Sequence, residues 1–99
     1  MFIAVTRYQA DPDHADLERT GAIRQTAQGA PGALGVMVFR STSDPTQMMR
    51  ITFWESLEAR DRLHQSEAGR RLGLGGGPPR EFWELALDDR GPELKKALE

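Results

Sequence analysis

The sequence predicts an α+β domain with the element order β-α-β-β-α-β, and three observations carry that prediction. Four short runs rich in Phe, Ile, Val, Met and Trp have the composition or the alternation of strands. Two longer stretches between them open on residues that cap helices. Gly29 with Pro31-Gly32, Pro45 in a turn, and the run from Gly73 to Pro79 separate these segments.

The first strand is Phe2 to Gln9. Asp11 then offers a helix cap, Pro12 suits a first turn, and Asp13 and Asp16 favour the positive end of the helix dipole. This helix is expected to run to about Gln28, with a thin apolar stripe of Leu17, Ala22, Ile23 and Ala27, and to stop at Gly29 and Pro31-Gly32. Ala33 to Ser41 reads as the second strand and Met48 to Glu55 as the third, joined by the turn residues Ser43-Asp44-Pro45-Thr46. Ser56 is the expected N-cap of a second helix from Leu57 to about Leu72. Gly73 to Pro79 breaks that helix, and Arg80 to Asp88 is the fourth strand. Residues 1–90 then form one domain, and 91–99 a charged tail with room for one helical turn. The order is the split β-α-β pattern of the ferredoxin-like fold, in which one antiparallel four-stranded sheet carries both helices on one face.

Composition narrows the function. Leu, Ile, Val and Phe make up 20 of the 99 residues, a thin core for a monomer. A net charge of -2 and two Trp still favour folding over disorder. With no Cys there is no disulfide, zinc ribbon, thiol nucleophile or iron–sulfur cluster, and no Asn is available to any mechanism. The eleven Arg and two Lys are spread among acids, so nucleic acid is not an expected partner. No leader is expected from the first residues and no apolar run approaches membrane length, so a cytoplasmic location is expected. His14 and His64 lack metal-ligand spacing, and no metal site is expected. The glycine stretch follows a helix and precedes a strand, the reverse of a dinucleotide-binding loop.

The strands divide into two faces. Met49, Ile51 and Phe53 alternate with Met48, Arg50, Thr52 and Trp54, and Trp83, Leu85 and Leu87 alternate with Phe82, Glu84 and Ala86. One face is wholly apolar, and the other is apolar with polar groups set in it. Covering both takes more than two helices on one side. The expectation is that a second copy of the chain covers the mixed face, sheet on sheet, making a homodimer.

Phe53-Trp54-Glu55-Ser56 closing the third strand, then Glu58-Ala59, His64 and Ser66, with Arg7-Tyr8 on the first strand, resembles the antibiotic biosynthesis monooxygenase (ABM) domain over roughly residues 1 to 90. The resemblance implies a dimeric α+β barrel with a pocket in each subunit between sheet and helices. It also implies one of several activities. Some members oxidise polyketide anthrones or quinols with O2 and neither metal nor flavin, others degrade haem, and many have no assigned substrate. The haem-degrading branch uses an Asn on the first strand, a Trp in the second helix and a His near its end; the matching positions here are Thr6, Leu63 and Gly73, so haem degradation is not expected. The anthrone-oxidising members draw on Asn, Trp, Tyr and Arg, of which Tyr8, Arg50 and Trp54 are the counterparts.

Each candidate has two readings. His64 can serve as a base that removes a proton from a phenol or quinol, or it can pack between the second helix and the sheet. Arg50 can orient an enolate or carboxylate, or pair with Glu84 in the dimer interface, as Arg7 can. Trp54 and Trp83 can wall a flat aromatic substrate, or supply core and interface area. Tyr8 can donate to a substrate oxygen, or be an ordinary strand tyrosine. The reading adopted is a cofactor-independent oxygenase acting on a small aromatic or quinol-type substrate. His64 is its base, and Tyr8, Arg50 and Trp54 are its substrate contacts. The alternative is a non-catalytic member that binds a small hydrophobic ligand or only dimerises.

Overall fold

The computed structural model describes residues 1–9, 30–71 and 80–99. The predicted helix over 11–28 and the glycine stretch from Gly73 to Pro79 lie outside the described residues. Within them, β1 (Phe2–Gln9), β2 (Ala33–Arg40), β3 (Gln47–Trp54) and β4 (Arg80–Glu84) form one sheet in the order β2-β3-β1-β4. Every neighbouring pair is antiparallel. Among the described residues, α1 (Leu57–Gln65) and α2 (Glu67–Arg71) lie between β3 and β4, and α3 (Pro92–Ala97) lies in the tail.

The β2–β3 hairpin closes on its own polar side chains. Ser41 Oγ accepts from the backbone N–H groups of Ser43 and Asp44, both at 3.2 Å, and Asp44 Oδ1 accepts from the backbone and hydroxyl of Thr46 at 3.0 and 2.7 Å. These bonds favour the ionised carboxylate and hold Asp44 below the usual carboxylate range.

Ser56 caps α1, its side chain accepting from Ala59 N at 3.2 Å. The second helix was expected to continue unbroken to about Leu72. Instead Ser66 takes an extended conformation and ends α1. Its hydroxyl donates to Leu63 O at 2.5 Å and accepts from Gly69 N at 3.1 Å, so one side chain closes one helix and opens the next. Gly69 is buried in that corner, where a Cβ would run into the Leu63 carbonyl.

The fourth strand is shorter than the 80–88 expected. It ends at Glu84, and the N–H of Leu85 still donates to Met1 O at 2.8 Å.

A larger correction concerns the two sheet faces. Register places Phe2, Ala4, Thr6 and Tyr8 of β1 beside Trp54, Thr52, Arg50 and Met48 of β3 and, from Phe2 to Thr6, beside Glu84, Phe82 and Arg80 of β4. This mixed face carries α1: buried Trp54, Ala59 and Leu63 form a cluster with Phe2, Ala30 and Ala33 packed against it. The mixed face is therefore not the one left for a second copy. The other face, with Ile3, Val5, Met37, Phe39, Met49, Ile51, Phe53 and Trp83 beside the charged Arg7 and Glu81, is the one α1 leaves uncovered; Phe39 and Trp83 stand 48% and 57% exposed on it, while Val5 is 5% exposed. The cause lies in the helix. Between Ala59 and Leu63, α1 also buries Arg60, so the surface that fits it is a mixed one.

Gly32 locks the loop before β2 to α1. Its φ of +85° is in the left-handed region, its carbonyl accepts from Glu55 N at 2.8 Å, and a Cβ on it would collide with that of Ala59.

Candidate active site

On the helix-bearing face, four side chains lie in one row across the sheet: Val38, Arg50, Thr6 and Arg80, each opposite the next in register. Two arginines thus flank buried Thr6 from β3 and β4. Tyr8, two residues along β1 from Thr6, lies under the first of them. The guanidinium carbon of Arg50 is 5.5 Å from the centre of the Tyr8 ring, and the Tyr8 hydroxyl is buried.

Trp54 lies four residues from Arg50 on the same face, about 13 Å along the strand. It is 5% exposed, and its indole Nε1 donates to Thr52 Oγ1 at 3.2 Å. Thr52 Oγ1 in turn donates to the Ala4 carbonyl at 3.5 Å. The ring packs in the core cluster with Ala59 and Leu63 of α1.

α1 adds His64 and Arg60. Arg60 is buried, its guanidinium 4.8 Å from the centre of the Phe82 ring, with Nη1 at 3.3 Å from Asp61 Oδ1. Phe82 is stacked on Phe2, their centres 5.6 Å apart. Burial depresses the Arg60 pKa and Asp61 opposes the shift; the group stays cationic. His64 follows Leu63 of the core and is half-buried. Burial, then the charges of Arg60 and Arg80, push its pKa down to about 4 against a weaker pull from Asp61. At neutral pH its imidazole is uncharged and able to accept a proton.

All four predicted residues therefore lie on, or face, one side of the sheet. Tyr8 and Arg50 are in contact, Trp54 sits at the far end, and His64 is tied to the row through the field of Arg80. Within the single chain, register keeps Glu84 apart from both Arg50 and Arg7. Arg7 is on the open face and its Nε pairs with Glu81 at 2.7 Å, while Glu84 stands opposite Phe2, four residues along β1 from the Arg50 row. The sequence reading also missed Arg80, Arg60 and Thr6. Arg80 was within reach, since the alternation that pairs Phe82 with Glu84 extends back to it. Arg60 had a weaker signal, as a charge one helical turn before His64 on a face that must be buried. Among the described residues no cluster of three His, Cys, Asp or Glu suits a metal ion.

The sequence pattern of the antibiotic biosynthesis monooxygenases matches residues 1–72. The chain belongs to this family. Solved structures share its ferredoxin-like fold. A protein of Deinococcus radiodurans assigned to the antibiotic biosynthesis monooxygenases superposes with a TM-score of 0.68 at 18% identity, over 92% of this chain and 100% of that one. SnoaB, a cofactor-independent oxygenase from Streptomyces nogalater, gives 0.65 at 14% identity, over 88% and 94%. A conserved protein from Methanosarcina mazei Go1 gives 0.60 at 11%, over 83% and 89%. At such identities the likeness is one of fold. No curated protein sequence matches the chain. Among the described residues no helix of this ABM protein is long and apolar enough to cross a membrane.

Proposed function

We propose that this ABM protein is a cofactor-independent monooxygenase of a small aromatic substrate of the quinol or anthrone type. The observation that carries the reading is the match to the monooxygenase family over residues 1–72, with the Arg50 guanidinium over the Tyr8 ring on the helix-bearing face. A neutral imidazole accepts a proton from the substrate, and Arg50 and Arg80, flanking Thr6, stabilise the enolate or phenolate that forms. Arg50 and Tyr8 contact the substrate oxygen, and Trp54 floors the ring. The substrate carbanion supplies the electrons to O2: a carbon–oxygen bond forms, the O–O bond breaks, one oxygen stays as a carbonyl and the other leaves as water. Family membership and the likeness of fold to SnoaB support this reading.

The protein acts as a homodimer in this proposal, with the open apolar face of each sheet packed against the other. Oxygen uptake with a model anthrone tests the chemistry. Wild type is expected to consume O2, and His64→Ala to lose at least tenfold in rate. Equal rates in the two proteins contradict the role of His64, and no uptake by either contradicts the activity.

A further inference from the structure

The last carbonyls of a helix have no partner within it, and at the end of α1 the corner that follows supplies donors to two of them. Leu63 O accepts from the backbone N–H of Ser66 at 3.1 Å and from its hydroxyl at 2.5 Å. Gln65 O accepts from Nε and Nη2 of Arg70 at 3.1 and 2.8 Å. Ser66 also serves α2: its hydroxyl accepts from Gly69 N at 3.1 Å and its carbonyl from Arg70 N at 3.0 Å. The first turn of α2 is thereby tied to the last turn of α1. In one unbroken helix Leu63 O would accept from Glu67 N instead. Ser66 prevents that by standing in an extended conformation, φ -68° and ψ 160°.

His64 lies inside this corner. A Cβ on Gly69 would run into the Leu63 carbonyl and come within 3.1 Å of the His64 Cα, so the bare backbone of Gly69 backs His64 directly. On its other side Leu63 is buried in the core with Trp54 and Ala59. Helix ends fray, and His64 is the last residue but one of a nine-residue helix. A base at such a place needs support, because a displacement of about 1 Å costs on the order of a hundredfold in rate.

We propose that Ser66 is the positioning residue of the base: with Gly69 and Arg70 it closes the α1–α2 corner and holds the His64 imidazole half-buried over the sheet. The effect on rate rests on the reading of His64 as the base; the placement of His64 does not, and the experiment reads the two separately. The charges that act on the imidazole are those of Arg60 and Asp61 on α1 and Arg80 on β4, so its titration reports its place among them. His14→Gln leaves a single histidine for NMR titration, with a midpoint of about 4 in the otherwise wild-type chain.

Ser66→Ala is expected to raise that midpoint by about one unit or more, as the imidazole leaves its half-buried place. With a model anthrone it is expected to lower kcat at least tenfold and to leave KM within about twofold. Ser66→Thr keeps the hydroxyl and is expected to restore both values. Ser56→Ala removes the cap at the other end of α1, the bond from Ala59 N at 3.2 Å, and controls for plain loss of helix stability. Its midpoint is expected to match wild type. Arg70 is exposed, so Arg70→Ala keeps the core and decides the matter if Ser66→Ala does not fold; it is expected to move the midpoint in the same direction. A wild-type midpoint in the folded corner variants, an equal shift in Ser56→Ala, or a shifted midpoint with kcat unchanged overturns the proposal. A shifted midpoint with no oxygen uptake by any protein, wild type included, leaves the hold of Ser66 on His64 standing and overturns the oxygenase reading.

Discussion

The guanidinium of Arg60 sits 4.8 Å from the centre of the Phe82 ring, which fixes a buried cation one helical turn ahead of His64. That contact ties the field at His64 to the fourth strand, and Arg80 adds to it from the same strand. It sets the pH behaviour of the proposed base. An imidazole with a pKa of about 4 is deprotonated across the neutral range, so kcat/KM is expected to level off above about pH 5 rather than rise through 6.5. Arg60→Met removes one of the opposing charges and moves the acidic limb upward. A limb fixed near 6.5 in wild type, read from a pH–rate profile, contradicts this.

The same group makes the fold sensitive to acid. Below pH 6.5 the unfolded chain protonates His64, while the folded chain keeps it neutral down to about 4, so the unfolded state binds the extra proton and is favoured. The stability lost across that window is on the order of 1–2 kcal/mol once solvent screening of a half-buried group is allowed for. His64→Gln removes this contribution. Urea unfolding at pH 7 and pH 4.5 is expected to show a smaller difference for the variant than for wild type.

Gly32 and Gly69 are fixed by space. Gly32→Ala places a Cβ at positive φ and against Ala59, and Gly69→Ala places one against the Leu63 carbonyl. Each is expected to cost about 2 kcal/mol or more in urea unfolding, the first through backbone strain and overpacking together. A neutral Gly32→Ala contradicts the close docking of the loop on α1.

Trp54 is both floor and core. Trp54→Ala is expected to lose about 3–5 kcal/mol of stability. Thr52→Val leaves the indole N–H without its 3.2 Å acceptor at a cost of about 1 kcal/mol. Calorimetric unfolding of the two variants checks the order.

Much of the fold was legible in local chemistry. Ser56, the Asp44 turn and the alternation of β3 each gave the right element, because each signal lies within a few residues of its effect. What failed needed the partner surface. The wholly apolar face was matched to the helices because apolarity implies burial, but α1 carries Arg60 between Ala59 and Leu63 and selects the face with Arg50, Thr52 and Trp54. The site was half legible. Tyr8 stood out as the single tyrosine, His64 as one of two histidines and Arg50 as a charge on a largely apolar strand, whereas Arg80 gained meaning once register set it across Thr6 from Arg50.

Oxygen-18 labelling tests the monooxygenase reading most directly. With a model anthrone under labelled O2, wild type is expected to place one labelled atom in the new carbonyl for each O2 consumed, and to release the other as water without hydrogen peroxide. His64→Ala is expected to form that labelled product at least tenfold more slowly. Unlabelled product, hydrogen peroxide in proportion to the O2 consumed, or a His64→Ala rate equal to wild type contradicts the account.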